Sequence, residues 1–148
     1  MIRFRPASAD DVPAVVALLA DDVLGATREG QEAGAYLAAF ARMLGEGNNH
    51  LIVGEETGRI IATYQITYIT GLSLAATRRA QVESVRVAAD LRGRGIGARL
   101  MHDAEARARK AGCSLIQLTT HRTRLDAHRF YERLGFTPSH IGYKRDLT

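Results

Sequence analysis

Apolar and polar residues follow two different periods along this chain, and its first segments show both. Ile2-Arg3-Phe4-Arg5 alternates residue by residue, which predicts a short strand ended by Pro6. Ser8, followed by acidic residues, is typical of a helix start. Apolar residues then recur at helical spacing, at Val12, Val15, Val16 and Leu19. The pattern therefore predicts that a strand and then a helix open the chain.

The next third of the chain predicts one more helix and a hairpin. The segment from Asp21 to Gln31 is polar and contains glycine, so we expect a loop. A second helix, ending near Gly45 and Gly47, is indicated by Tyr36, Leu37, Phe40, Met43 and Leu44. The β-rich segments Leu51–Val53 and Arg59–Ile69 flank Glu56-Thr57-Gly58, which suits a hairpin turn.

The second half alternates strands with helices. After an expected loop from Gly71 to Thr77, the predicted elements are a strand, a helix, a strand, a helix and a β-like end. Their expected bounds are Val82–Ala88, Gly95–Ala111, Leu115–Thr119, Leu125–Leu134 and Phe136–Leu147. A strand–helix–strand crossover makes its two strands parallel. We therefore expect an α/β (α+β) fold with a mixed sheet and helices on both faces, in one domain spanning residues 1–148.

The amino-acid composition argues against several classes of protein. The formal net charge is +4, and almost all of the basic residues are arginines, the exceptions being Lys110 and Lys144. The arginines are scattered without aromatic interleaving, so we expect no nucleic-acid partner. No apolar run could span a bilayer, and the N-terminus lacks the apolar stretch of a signal peptide. Cys113 is the single cysteine, so no internal disulfide can form, and no metal cluster surrounds it. We expect a cytoplasmic protein without a metal or a membrane partner.

The sequence Arg92-Gly93-Arg94-Gly95-Ile96-Gly97-Ala98 lies where a strand passes into a helix. Its glycines expose backbone N–H groups at a helix N-terminus, which favours a bound anion. A nucleotide P-loop is excluded, because Gly97-Ala98-Arg99 stands where that motif requires Gly-Lys-Ser/Thr. A dinucleotide fold fits poorly, because the strand from Leu115 to Thr119 is not followed by the acid that binds a ribose hydroxyl.

The same residues fit a third kind of phosphate site. Arg92-Gly93-Arg94-Gly95-Ile96-Gly97 resembles the signature Gln/Arg-x-x-Gly-x-Gly/Ala of the GCN5-related N-acetyltransferase (GNAT) superfamily. Three further segments are similar to the opening, to the strand before the loop, and to the late helix with the strand after it in that family: Arg5–Asp11, Glu83–Val87 and Ala127–Phe136. The resemblance implies the acyl-CoA N-acyltransferase fold, whose mostly antiparallel sheet contains a parallel strand pair that splays apart.

The resemblance also implies a site for acetyl-CoA as cosubstrate. The backbone of Val85, Arg86 and Val87 would pair with the pantetheine arm. The loop would hold the pyrophosphate through residues Arg92, Gly93, Arg94, Gly95, Ile96, Gly97 and Ala98. Glu83 stands about 13 Å from Val87 along the strand, near the expected thioester. The N–H group of Val85 is a candidate donor to the acetyl oxygen.

Two residues are candidates for proton transfer. Tyr131 matches the family tyrosine that protonates the leaving thiolate; the alternative is that it packs in the core, since Ala127, Phe130 and Leu134 share its helical spacing. Glu83 could accept the proton of the amine, directly or through water, if burial raises its pKa. The alternative is a structural ion pair with Arg78 or Arg79.

Two positions leave further alternatives open. Of the five histidines, His121 is the best placed to act as an alternative base. Arg124 stands where family members often carry an asparagine that contacts the coenzyme. Whether this position contacts the coenzyme in the present chain is left open.

Together these features predict an N-acetyltransferase that moves the acetyl group of acetyl-CoA to a primary amine by direct attack in a ternary complex. The amine would belong to a small molecule or a peptide N-terminus. Acidic residues in and beside the first expected loop, Asp21, Asp22, Glu29 and Glu32, could attract a cationic amine. A non-catalytic acyl-CoA sensor or interaction module is the alternative, and homodimer formation is left open.

Overall fold

The computed structural model describes residues 1–21 and 32–148. The expected loop from Asp21 to Gln31 therefore lies, except for Asp21 itself, outside the described residues. The described residues form two compact units, Met1–Gln117 and Leu118–Thr148. Among them, no helix is long and apolar enough to cross a membrane.

A five-stranded sheet organises the first unit. Its strands lie in chain order: β1 (Arg3–Pro6), β2 (Asn49–Glu56), β3 (Arg59–Thr70), β4 (Arg78–Val87) and β5 (Leu115–Leu118). The pairs β1–β2, β2–β3 and β3–β4 are antiparallel, whereas β4 and β5 are parallel. The predicted mixed, mostly antiparallel sheet is confirmed.

Among the described residues, three helices of more than one turn belong to the first unit and one to the second. They are α1 (Val12–Ala20), α2 (Ala33–Glu46), α3 (Ile96–Lys110) and α4 (Leu125–Arg133). The α1 helix begins after a 3₁₀ turn at Ala9–Asp11, where the Asp11 carboxylate accepts hydrogen bonds from the backbone N–H and the hydroxyl of Ser8. The α2 helix ends at Gly47, which has a left-handed conformation that glycine adopts without strain.

Helices cover both faces of the sheet in the first unit. Tyr64 of β3 pairs with Ile52 of β2, and its hydroxyl contacts Asp103 of α3, so α3 lies over that face. Arg5 pairs with Val53, the neighbour of Ile52 along β2, so it points to the opposite face, where it binds Asp11 beside α1. The expectation of helices on both faces is confirmed for this unit.

The core between these layers is apolar. Among the most buried side chains are Ile52, Val53, Ile61, Tyr64, Ile66, Val82, Leu100 and Met101. The predicted hairpin turn between β2 and β3 is confirmed: it turns at Thr57 and Gly58, both of which have the positive φ that a two-residue turn of type I′ requires.

The structure differs from the sequence prediction in three segments. The strand β4 begins at Arg78 rather than Val82, because Arg79 and Gln81 alternate with the buried Ala80 and Val82. The expected loop from Gly71 to Thr77 contains one turn, Ser73–Ala76, with positive φ at Leu74, Ala75 and Ala76.

The third difference is at the C-terminus. The predicted strand from Phe136 to Leu147 is wrong: residues 136–148 form neither a helix nor a strand in the second unit. The side chains of Ile141, Tyr143 and Leu147 are exposed. An alternating pattern makes a segment suitable for a strand, but the strand forms only where a neighbouring backbone supplies hydrogen bonds.

Candidate active site

The glycine-rich loop connects β4 to α3 within the first unit. Gly93 and Gly95 have φ values of 80° and 76°, and Gly95 is the N-cap of α3. The hydrogen bond from Arg99 N–H to Gly95 O, at 3.2 Å, begins the helix. The N–H groups of Ile96, Gly97 and Ala98 therefore precede the first intrahelical bond and remain available to an anion.

Gly93 and Gly95 are required by the positive φ angles of the loop backbone, not by close packing against neighbouring atoms. A Cβ atom built at Gly93 or Gly95 would meet no atom within 4 Å among the described residues. The positive φ values are nevertheless unfavourable for other residues. The loop thus combines a glycine-dependent backbone with open space beside it, as a ligand-binding loop requires.

The side chains around the loop are mostly cationic. Arg92 Nη2 donates to the backbone oxygen of Asp21 at 3.4 Å, and Arg94 is exposed. Asp90, just before the loop, forms a two-pronged ion pair with Arg59 at 2.9 and 3.0 Å. The hydrogen bonds from Arg59 lower the pKa of Asp90. This pairing offsets a carboxylate charge that would otherwise weaken anion binding at the loop.

The β4 strand has a bulge just before the loop. Gln65 pairs with Glu83 and Thr63 pairs with Arg86, so Ser84 and Val85 of β4 together stand opposite Tyr64 of β3. Ser84 has a φ of 54°, which is unusual for a residue other than glycine. A bulge interrupts the ladder of hydrogen bonds and re-aims the backbone around it. The sequence carries no signal for this bulge, because neither residue is a glycine.

The parallel strand β5 is shorter than its neighbour β4. Ser114 N–H donates to Arg78 O at 3.0 Å, and the side chains of Gln117 and Gln81 are hydrogen-bonded at 2.7 Å. This register aligns β5 with the first half of β4. Since β5 ends at Leu118 while β4 continues to Val87, the β5 strand does not extend along the bulge.

Glu83 lies directly before the bulge and is exposed. The burial on which its expected role as a base depended is therefore not present. The alternative ion pairs are not formed either: Arg78 donates instead to Ala111 O at 3.0 Å and to Thr70 Oγ1 at 2.6 Å. Within the described residues, no ion pair links Glu83 to Arg79.

Tyr131 belongs to α4 in the second unit and is half-buried. Its ring packs edge-to-face against Phe130 and Phe136, with centroid distances of 5.1 and 5.8 Å. The predicted apolar packing of this helix is thus observed within the unit. The aromatic contacts fix the ring of Tyr131 and are compatible with either of its two expected roles.

His121 and Arg124 both lie in the turn before α4. The His121 backbone oxygen accepts hydrogen bonds from Arg124 N–H at 2.9 Å and from His128 Nε2 at 3.0 Å. The Thr123 N–H donates to His121 Nδ1 at 3.3 Å. These bonds give His121 a structural role at the start of α4. The side chain of Arg124 is exposed.

Cys113 is half-buried. No group of histidine, cysteine, aspartate or glutamate side chains suited to a metal ion occurs in the part of the chain that the structure describes.

Comparison with known proteins assigns these features to a family. The model of the acetyltransferase (GNAT) family matches residues 16–136, which include the bulge, the glycine-rich loop and Tyr131. This chain belongs to that family. It is therefore a GNAT acetyltransferase, and acetyl-CoA is the cosubstrate of the family.

Individual relatives cover nearly the whole chain. The aminoalkylphosphonate N-acetyltransferase of Salmonella typhimurium is 29% identical over 145 residues, 98% of this chain and 91% of that protein. The crystal structure of a transcriptional regulator from Bacillus halodurans has a TM-score of 0.94 and 41% identity, covering 99% of this chain and 100% of that one. A Clostridium acetobutylicum protein solved with acetyl-CoA shares the fold, with a TM-score of 0.77 and 18% identity, over 99% and 97% of the two chains.

Proposed function

We propose that this protein transfers the acetyl group of acetyl-CoA to the primary amine of a small molecule by direct attack in a ternary complex. The observation that carries the proposal is the succession, within one stretch of chain, of a β4 bulge and a glycine-dependent loop that opens α3. A small-molecule acceptor is favoured over a peptide N-terminus by the aminoalkylphosphonate named for the Salmonella relative.

The loop is proposed to hold the pyrophosphate of the cosubstrate. The N–H groups from Gly93 to Ala98 and the N-terminus of α3 supply donors and a favourable dipole, and Arg92 and Arg94 add positive charge. Each hydrogen bond to a charged group contributes roughly 1.5–3 kcal/mol. The backbone of Val85, Arg86 and Val87 is proposed to pair with the pantetheine arm, since β5 ends before it reaches them.

The bulge is proposed to lie at the reacting carbonyl. The amine first loses a proton, with Glu83 or a water molecule beside it as the acceptor. Its nitrogen then attacks the thioester carbon, and the carbonyl oxygen becomes an oxyanion to which the N–H of Val85 donates. When the carbonyl re-forms, the C–S bond breaks and the thiolate takes a proton from Tyr131. The nitrogen, which still carries one proton more than the amide product, releases that proton directly or through water to the Tyr131 phenolate, so the phenol is restored. The products are the N-acetylated amine and free coenzyme A.

A decisive test measures binding at the loop. Calorimetry is expected to show that Gly95→Glu weakens coenzyme A binding at least tenfold, because the new carboxylate occupies the open space beside the loop and repels the diphosphate. Gly58→Glu is the matched control: it places the same charge at a positive-φ glycine of the hairpin turn, with equally open surroundings. Unchanged affinity in Gly95→Glu, or equal losses in both variants, would refute the loop assignment.

The second candidate function is an acyl-CoA-binding regulatory module without turnover. The name of the 41% identical Bacillus protein, a transcriptional regulator, favours this alternative. Thiol release from acetyl-CoA with a panel of amines separates the two functions. We expect release in the parent protein and slower release in Tyr131→Phe. Tight acetyl-CoA binding with no thiol release from any amine would instead support the regulatory module.

A further inference from the structure

Along one face of the sheet, almost fully buried residues give way to half-buried polar residues. The cross-strand pair Val53 and Thr63 is almost fully buried, at 0% and 1% exposure. The next pairs on the same face lead to Gln65 and then Thr67, which are half-buried and polar. Leu51 and Ile69 also lie on this stretch, which is therefore mixed rather than apolar throughout. The polar part of this face is therefore suited to contact a polar ligand.

Two pairs of hydrogen-bonded amides lie on this part of the face, one linking β2 to β3 and the other linking β4 to β5. Gln65 Nε2 donates to Asn49 Oδ1 at 2.8 Å, and Gln117 Nε2 donates to Gln81 Oε1 at 2.7 Å. Thr67 pairs with Gln81 between them. We call Asn49, Gln65, Thr67, Gln81 and Gln117 the amide floor. Asn49 also accepts a hydrogen bond from Thr67 at 3.4 Å and donates one to Glu46 at 2.8 Å. The side-chain amides of Gln65, Gln81 and Gln117 each have both donor and acceptor groups, so these three retain further capacity to bind a ligand.

Two opposite charges flank the amide floor on β4. Arg79, Gln81 and Glu83 share this face, because Ala80 and Val82 between them are buried on the other face. Arg79 is half-buried and Glu83 is exposed, and within the described residues neither forms an ion pair. Four residues of strand separate their backbones by about 13 Å. The Arg79 guanidinium lies beside Gly71, and Gln81 stands between Arg79 and Glu83 on the strand. The face therefore carries opposite charges at the two ends of a polar stretch.

We infer that this face is the acceptor site and that the acceptor is a small amine carrying an anionic group. The inference rests on the proposed function. Glu83 adjoins the Ser84–Val85 bulge, so the amine must lie at the Glu83 end if the thioester reacts at the bulge. The anionic group then lies at Arg79, whose guanidinium can donate two parallel hydrogen bonds to a carboxylate or a phosphonate.

The experiment measures initial rates of thiol release from acetyl-CoA. The amines are a length series of ω-amino carboxylates beginning with β-alanine, the corresponding ω-aminoalkylphosphonates, and propylamine as the acceptor without an anion. In the parent protein, kcat/KM is expected to be at least tenfold higher for the best anionic amine than for propylamine. The carboxylate and phosphonate series reveal which anion the site prefers.

The variant Arg79→Gln separates the anion contact from catalysis. It is expected to lower kcat/KM for the anionic amines roughly 10- to 100-fold, mainly by raising KM, because a charged hydrogen-bond pair is lost. The rate with propylamine, which has no anion to bind Arg79, should fall much less than the rates with the anionic amines, and the KM for acetyl-CoA should not rise with theirs. Arg79→Lys should recover part of the loss. Arg109→Gln, which removes the same charge from an exposed position on α3, is the control and should behave as the parent protein does.

The outcomes distinguish this inference from the function on which it rests. Thiol release that is equally efficient with propylamine and with anionic amines would overturn the zwitterionic acceptor but leave the acetyltransferase proposal intact. An equal loss for all amines in Arg79→Gln would also overturn it, since Arg79 would then act only through the structure. Bound acetyl-CoA without thiol release from any amine would refute both proposals.

Discussion

At the scale of single residues, glycines serve different purposes, and the sequence by itself distinguishes only some of them. Gly95 has a positive φ beside open space, so it serves the backbone of a binding loop. Gly54 lies within β2, and a Cβ atom there would stand 2.8 Å from side-chain atoms of both Ile2 and Phe4. Gly45 lies in α2, in open surroundings. The sequence motif already marks Gly95 as part of a binding loop, whereas only the tertiary contacts show that Gly54 is closely packed and Gly45 is not.

These surroundings predict opposite effects of the same substitution. Gly54→Ala is expected to lower the free energy of unfolding by about 1–3 kcal/mol, because the new methyl group overpacks the contact between β1 and β2. Gly45→Ala should raise it by up to about 1 kcal/mol, because alanine favours a helix over the unfolded chain. Urea denaturation of the two variants measures both effects. A Gly54→Ala protein as stable as the parent would contradict the packing.

At the scale of elements, a network of side-chain hydrogen bonds attaches α3 to the sheet. Tyr64 is fully buried, and its hydroxyl donates to Asp103 Oδ2 at 2.5 Å. Arg107 donates to the same carboxylate at 2.8 Å and to the backbone oxygen of Phe4 at 3.2 Å. Burial, and then the hydrogen bond to Asp103, raise the pKa of Tyr64, so the phenol remains a donor. Tyr64 also stands opposite the β4 bulge, so one residue contacts both elements of the proposed acetyl-CoA site.

The substitution Tyr64→Phe tests this attachment. It keeps the buried ring but removes the hydroxyl, and we expect the free energy of unfolding to fall by about 1–3 kcal/mol. The exposed Tyr143→Phe removes the same group from the second unit and should change stability little. Chemical denaturation compares the two variants. Equal stabilities in both would show that the hydroxyl of Tyr64 contributes nothing to holding α3.

Elements with a strong internal pattern were predicted closely from the sequence. The expected helix Gly95–Ala111 is observed as Ile96–Lys110, and the helix Leu125–Leu134 as Leu125–Arg133. Helical spacing and terminal glycines are local signals, so they survive without tertiary information. The sequence does not predict the first four residues of β4, because Arg79 and Gln81 are polar although they lie in a strand. Their side chains are on the face of the sheet that carries the amide floor. The predicted C-terminal strand failed because pairing depends on a partner backbone, which an alternating pattern cannot supply.

At the scale of the whole molecule, an ionic cluster joins distant parts of the chain. Arg5 of β1 contacts both carboxylate oxygens of Asp11, at 2.7 and 3.0 Å, and Glu55 of β2 at 3.0 Å. Asp11 is buried, at 8% exposure. The hydrogen bonds from Arg5, against the opposing effect of burial, lower the pKa of Asp11 to about 2. Acidification of a chain whose net charge is already +4 also increases its self-repulsion.

Stability is therefore expected to depend on pH through Asp11. Because its pKa is lower in the folded than in the unfolded state, its contribution is complete above about pH 4 and is lost as the pH falls toward about 2. The lost contribution is roughly 2 kcal/mol. Urea denaturation of the parent and of Asp11→Asn over this range should show a shallower decline in the variant. Parallel declines would mean that Asp11 titrates alike in both states.

The sequence by itself determined the features that depend only on residues close together in the chain. The spacing of apolar residues predicted the helices, and a turn sequence between two β-rich segments predicted the hairpin. The order of glycines and arginines in Arg92–Ala98 indicated an anion-binding helix start and the resemblance to the family. Only the tertiary structure decided the β4 bulge, the exposure of Glu83 and the arrangement of Arg79, Gln81 and Glu83 over the amide floor. These features depend on strand register and on which side chains other elements cover, and residues far apart in the chain set both. The chemistry of the loop is therefore readable from its own residues, whereas the acceptor site emerges only when the strands pair.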